Sequence, residues 1–274
     1  MVQEDSIENI KIKMNEIHRG GKKVISNYYN NCNSNDKLYV LYGQYTVVFW
    51  YDDNGVIRCY YYSIDDEEAL EMLKKVPSGV IVDVLVKQDK NLLLPLEKIG
   101  FSFLYQLQRF SSVSLSDASQ ERLGFIRDMY KKENVRVATI YDLDIIYDKM
   151  YDIFDIRESH LPSKRQLLEY INKKWMCLYC EEDKIKGFYL FKVANNGQFY
   201  GFQIWNGTGP EGYFSLVMKA NELHVDYCKS NGIEMEKIPP SYCWVNTRNK
   251  KAIRPIKFWG MQYDGLSDYV YEKN

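Results

Sequence analysis

The stretch Val245-Asn246-Thr247-Arg248-Asn249-Lys250-Lys251-Ala252-Ile253-Arg254-Pro255-Ile256-Lys257-Phe258-Trp259-Gly260-Met261 decides the architecture of this chain. It reads as the end of an apolar strand, an asparagine able to cap a helix, about two helical turns, a glycine stop and the start of a new strand. The same grammar occurs earlier in the chain. Asp89-Lys90-Asn91-Leu92-Leu93-Leu94-Pro95-Leu96-Glu97-Lys98-Ile99-Gly100-Phe101 aligns with Asn249 to Met261 without gaps at an offset of 160 residues, Pro95 meeting Pro255 and Gly100 meeting Gly260. A meander of strands and a helix precede each copy, so the spacing predicts a duplicated α/β unit.

Working outward, residues 5 to 30 predict an opening helical pair, with Ile7, Ile10, Met14 and Ile17 at helical spacing before Gly20-Gly21. Strands are predicted at Leu38 to Tyr42, Tyr45 to Trp50 and Val56 to Ser63, with Asp52-Asp53-Asn54-Gly55 as hairpin chemistry. A helix (Asp65 to Lys75), a strand (Val80 to Val86), a short helix (Asn91 to Lys98) and a strand (Phe101 to Arg109) complete the first half. Five serines between Ser111 and Ser119 mark a boundary, and Gln120 to Lys131 reads as a connecting helix.

The second half predicts a strand at Val135 to Thr139, helices at Asp142 to Phe154 and Ser163 to Asn172, and a meander of Trp175 to Cys180, Gly187 to Val193 and Phe199 to Trp205. A long helix from Pro210 to Lys229 places Tyr213, Leu216, Ala220, Leu223 and Tyr227 on one face. A strand (Tyr242 to Val245), a helix (Asn249 to Phe258) and terminal strands from Met261 follow. The expected division is 1–112, a connector 113–132, and 133–274.

With 46% hydrophobic residues, the chain can bury a core, which disfavours wholesale disorder. Lys and Arg total 36 against 37 for Asp and Glu, so no global field draws it onto DNA or anionic lipid. No run of about 18 apolar residues occurs, and Met1 to Asn9 is acidic where a signal peptide would be basic, so a cytoplasmic protein is expected. The six cysteines are then expected to be reduced. Cys177 and Cys180 form a lone CxxC with no second pair, and positions i and i+3 on a strand face opposite ways, so no metal site is expected. No G-x-S-x-G, P-loop or H-E-x-x-H run is present.

The second half resembles the GNAT superfamily, the N-acetyltransferases that use acetyl-CoA. The resemblance rests on Val245-Asn246-Thr247-Arg248-Asn249-Lys250-Lys251-Ala252-Ile253 and Trp259-Gly260-Met261, beside the family's V-N-x-x-N-x-x-A-I run and terminal G-F, and on the order of elements from Val135 to Asn274. The first half, about Lys37 to Arg109, resembles a trimmed copy. The implied class is α/β (α+β): two tandem GNAT-like domains, each a mixed, mostly antiparallel sheet flanked by helices, the first degenerate. Tandem GNAT folds also occur in Fem-type aminoacyltransferases, which makes transfer from an aminoacyl-tRNA one alternative and a catalytically inactive binding protein another.

Asn206-Gly207-Thr208-Gly209-Pro210-Glu211-Gly212 joins the meander to the long helix, where unpaired N–H groups and the helix dipole suit a pyrophosphate. An ordinary glycine turn with Pro210 at the first helical position reads equally from the residues. The family's loop runs R-G-x-G-x-G or A; here Asn206 replaces the arginine and one residue is added before Gly212. The resemblance implies acetyl-CoA as co-substrate, held by Gln203, Ile204, Trp205, Gly207, Thr208, Gly209, Gly212, Asn246, Asn249 and Lys251. Lys237 to Tyr263 holds six cations and no acid, which suits CoA phosphates or a solvated face. The first half's helix instead opens on Asp65-Asp66-Glu67-Glu68, which would repel pyrophosphate.

Acetyl transfer needs a free amine, a polarised thioester carbonyl and often an acid for the leaving thiolate. The family's tyrosine acid corresponds here to Ile256, which leaves Tyr263 and Tyr213 as substitutes. Glu158 and His160 lie in a region that contacts the acceptor in many members, so Glu158 is a third catalytic candidate; a solvated loop is the alternative. The expected partner is a small-molecule or peptide amine, with neither DNA nor membrane, and a homodimer is the assembly to test.

Overall fold

The computed structural model describes residues 1–28, 37–87, 94–112 and 120–274. Residues 89–93 of the internal repeat, the serine-rich stretch from 113 to 119 and Cys32 lie outside the described residues. The chain runs β1 (Gln3–Asp5), α1 (Ile7–His18), β2 (Ile25–Ser26), β3 (Leu38–Tyr42), β4 (Thr46–Asp53), β5 (Val56–Ser63), α2 (Asp66–Leu73), β6 (Ile81–Lys87) and β7 (Phe101–Ser112). It continues with α3 (Gln120–Met129), β8 (Val135–Val137), α4 (Leu143–Ile153), α5 (Lys164–Asn172), β9 (Met176–Glu181), β10 (Lys184–Val193) and β11 (Phe199–Asn206). Last come α6 (Pro210–Ser230), β12 (Tyr242–Asn246), α7 (Lys250–Phe258) and β13 (Met261–Lys273).

Two compact units result: Met1–Leu107 with Ile156–His160 and Gly265–Asn274, and Gln108–Asp155 with Leu161–Asp264. In the first, the strand order is β1-β3-β4-β5-β6-β13-β7, with β2 added to β5. Asn54 (φ 55) and Gly55 (φ 92) make the two-residue β4–β5 turn, whose positive φ values match the twist of a hairpin. Alternation along β4 sends Val47, Phe49 and Tyr51 to one face, where α1 lays Ile7, Ile10, Met14 and Ile17. Val48 and Trp50 go to the other face, under Ala69, Met72 and Leu73 of α2.

β5 and β6 run parallel and pair only at Arg58↔Ile81. Arg58 is 1% exposed. Its Nη1 lies 3.0 Å from Asp83 Oδ2, its Nε 3.3 Å from Asp53 Oδ2, and its Nη2 donates to the Ile156 carbonyl at 3.0 Å. His160 Nδ1 completes the cluster 2.8 Å from Asp53 Oδ2. Burial raises the pKa of Asp53, but the His160 hydrogen bond and charge, with Arg58, outweigh it and leave the carboxyl below its usual range. Burial and the neighbouring Asp83 push Asp268 well above its own.

In the second unit the order is β7-β12-β11-β10-β9-β8, an antiparallel meander from β8 to β11 followed by a parallel β11–β12 pair. Ser163 and Gln166 form a capping box that starts α5. α7 packs Ile256 against Phe110 and Val245. No helix among the described residues is long and apolar enough to cross a membrane.

Four expectations change. The opening helical pair is one helix: the chain turns through Gly20-Gly21 (Gly21 φ 71), and Ile25–Ser26 joins β5 as a strand. The described part of the short helix from Asn91 is a single 3₁₀ turn, Leu96–Ile99, ended by Gly100 in the left-handed region (φ 88). The terminal strands are one strand, β13. On α6 the buried face is turned from the expected one: Leu216 and Ala220 are buried with Phe214, Ser215 and Cys228, while Tyr213, Leu223 and Tyr227 are half-buried. Phe214 is drawn inward by Phe258 and Trp259, 5.3 and 5.7 Å away between ring centres.

Candidate active site

β11 and β12 pair only at Tyr200↔Tyr242 and Gly201↔Cys243, then part. β11 stays paired to β10 on its other side, Leu190↔Gln203, Tyr189↔Ile204 and Phe188↔Trp205. The register shifts between Leu190 and Phe191, so Phe202 is an extra residue, a bulge that re-aims the strand where the fork opens. From Gln203 to Asn206 the edge of β11 that faces away from β10 has no strand partner among the described residues, and its polar groups offer a ladder to an extended ligand.

Beyond the fork, Asn206 organises the loop. Its Nδ2 donates to the Thr208 and Gly209 carbonyls at 3.0 and 2.8 Å, and its Oδ1 accepts from Thr208 N and Oγ1 at 3.2 and 2.9 Å. Gly207 N–H donates to the Lys186 carbonyl at 2.7 Å. Two glycines are needed by the loop's own packing: a Cβ at Gly207 would meet the Lys186 carbonyl at 2.8 Å, and one at Gly212 would meet Thr208 Oγ1 at 2.2 Å. Gly209 faces open space. It is the N-cap of α6 without a side-chain capping bond, and Pro210 follows at the first helical position. The N–H groups at the start of α6 are the ones left to meet an anion, although Glu211 in that first turn opposes one.

The amides of the V-N-x-x-N run serve the fold. Asn246 Oδ1 accepts from Arg248 N at 2.9 Å, and Asn249 Oδ1 caps α7 by accepting from Ala252 N at 3.1 Å. Arg248, Lys250, Lys251, Arg254 and Lys257 are exposed along this segment. Ile256 is buried.

The catalytic candidates are divided between the two units. Tyr213 is half-buried on the first turn of α6, and burial together with Cys243 at the fork pushes its hydroxyl pKa up, so it stays protonated. Tyr263, on β13, is 37% exposed beside Phe110. Glu158 belongs to the first unit, as does His160, whose ring is held by Asp53. His224 is a structural residue: its Nε2 lies 2.7 Å from the carbonyl of Gly197 in the meander turn. Tyr189, which nothing in the sequence singles out within the strand Gly187 to Val193, places its hydroxyl 2.4 Å from where a Gly201 Cβ would sit.

No protein-family model matches this chain, and no curated protein matches it. Solved structures do. An acetyltransferase from the GNAT family from Colwellia psychrerythraea superposes with a TM-score of 0.53 over 100% of both chains at 10% identity. A GCN5-related N-acetyltransferase from Sphaerobacter thermophilus gives 0.55 over 89% of this chain and 82% of that one at 11% identity. One from Kribbella flavida gives 0.53 over 86% and 89% at 10% identity. The chain has the GNAT fold.

Proposed function

We propose that the chain is an acyl-CoA-dependent N-acyltransferase that moves an acetyl group from acetyl-CoA to a primary amine. The observation that carries this reading is the β11–β12 fork, which exposes the backbone edge Gln203 to Asn206 and leads through the loop into the start of α6. The residues fit the group. The edge would pair with the pantetheine arm, the first N–H groups of α6 would meet the pyrophosphate, and the cations of α7 would offset Glu211. When bound, acetyl-CoA supplies the activated thioester; the chain's part is to orient it and exclude water. We further propose that the two units are a tandem pair of which the first, described below, is a non-binding copy.

A second reading, a GNAT-fold binding protein without catalysis, is favoured by Ile256, which puts a core methyl where the family has a hydroxyl. Isothermal titration of the protein with acetyl-CoA, repeated with Gly209→Asp, tests the first. Gly209 has a φ of −73 and open space around it, so the variant adds a carboxylate without strain. Binding at micromolar ligand that the variant abolishes is the expected result. Absence of heat at millimolar acetyl-CoA would overturn it.

A further inference from the structure

If the fork holds a thioester, the leaving thiolate needs a proton, and the position that supplies it in the family is apolar here. Ile256 is turned into a core with Phe110 and Val245, so no change of rotamer on α7 brings a hydroxyl to the fork. One hydroxyl does reach this place from elsewhere. Gly201 is the last β11 residue paired to β12, opposite Cys243. The ring of Tyr189, on neighbouring β10, passes beneath it and puts its hydroxyl 2.4 Å from where a Gly201 Cβ would be. Phe191 and Phe199, with centroids 6.1 Å away in both cases, fix the ring. The absence of a side chain at Gly201 thus leaves room for a phenol at the point where the two strands separate.

We propose that Tyr189 is the acid that protonates the departing thiolate, in place of the side chain that Ile256 has displaced. This rests on the CoA-dependent reading above. The amine nitrogen attacks the thioester carbonyl carbon to form the C–N bond, and the C–S bond breaks with its electron pair passing to sulfur. The Tyr189 O–H gives its proton to that sulfur, and the resulting phenolate is returned to the phenol by the proton that the nitrogen releases, carried through solvent. No oxidant or reductant takes part. Burial, reinforced by Cys243, Tyr213 and Cys177 nearby, pushes the Tyr189 pKa well up, so the phenol is in its proton-bearing form.

A hydroxyl that donates to the sulfur also stabilises a bound thiolate, which gives a readout that needs no acceptor. The CoA complexes of the wild type, Tyr189→Phe, Gly201→Ala and Tyr213→Phe are titrated with pH, following the ultraviolet absorbance of the CoA thiolate, with affinity measured in parallel. In Tyr189→Phe the bound thiol is expected to titrate about one pH unit higher than in the wild type. Gly201→Ala, whose methyl displaces the hydroxyl, is expected to move it the same way, and Tyr213→Phe to leave it in place. Wild type and Tyr189→Phe that both bind CoA and titrate alike would overturn the proposal while leaving the CoA site intact. A wild type that binds no CoA removes the site itself, and this role with it.

Discussion

Each unit contains a meander strand that leads through a helix into a parallel partner, and the two forks so formed differ in what lies between their strands. In the first unit, β5 and β6 part beyond Arg58↔Ile81, and Asn27, 3% exposed, occupies the gap. Its Nδ2 donates to the Cys59 and Asp83 carbonyls, both at 3.0 Å, and its Oδ1 accepts from Tyr61 N at 2.7 Å. Ile25 and Ser26 pair with Ser63 and Tyr62. The start of α2 is likewise taken: Asp65 caps it by accepting from Glu68 N at 2.9 Å, and the Glu68 carboxylate accepts from Gln44 N and Tyr45 N, both at 2.8 Å. In the second unit no described strand pairs along the edge from Gln203 to Asn206 that faces away from β10. A parallel fork leaves backbone groups that something must satisfy; the first unit uses its own chain, and the function proposed above gives the second to a ligand.

This contrast can be broken at several points. Arg58→Ala carries the largest expected effect, a loss of about 3 to 5 kcal/mol measured by urea unfolding, because it strips the guanidinium from buried Asp83 and leaves it the more distant His160 Nε2 at 3.7 Å. Asn27→Ala comes next, at about 2 to 3 kcal/mol from stranded carbonyls and an N–H. If it is the plug, the variant's acetyl-CoA affinity is unchanged; a weakened affinity would mean the first unit's fork shapes the site. Asn249→Ala is expected to cost about 1 kcal/mol as a lost helix cap, with little change in ligand affinity, and a tenfold weaker affinity would make its amide a ligand contact instead.

The smallest effect at neutral pH is electrostatic. Asp142 is held at about 2 by Arg136, despite its burial, with help from Thr139, and its ordinary value is 3.8. A depressed folded value means its contribution is present above about 4 and is lost as the pH falls toward 2. Asp53, also depressed, acts in the same direction in the first unit. Asp142→Asn should therefore flatten the dependence of the melting temperature on pH in that acid window. An unaltered slope would mean that Arg136 does not hold the carboxylate.

Much of this architecture was legible where the signal is local. Apolar runs rich in Val, Tyr and Phe marked β3 to β5, the Asn54-Gly55 pair marked the hairpin, and Pro210 and Asn249 marked the starts of α6 and α7. What escaped depends on distant partners. Asn27 bonds to carbonyls 32 and 56 residues away, and no neighbour of Asn27 in the sequence announces it. β2 has only two residues, too few for a period. Tyr189 reads as one more aromatic in an apolar strand; that its hydroxyl reaches Gly201, although its register partner is Ile204, is visible only in the fold. Ile256 was visible as a departure, but its burial against Phe110 required a contact across the fold.

Hydrogen exchange with and without CoA tests the contrast most directly. Protection confined to peptides spanning Gln203–Tyr213 and Asn246–Ala252, with none gained at Cys59–Ser63 or Val82–Val86, is the predicted result. Protection gained at the first unit's fork, or at neither fork, would contradict it.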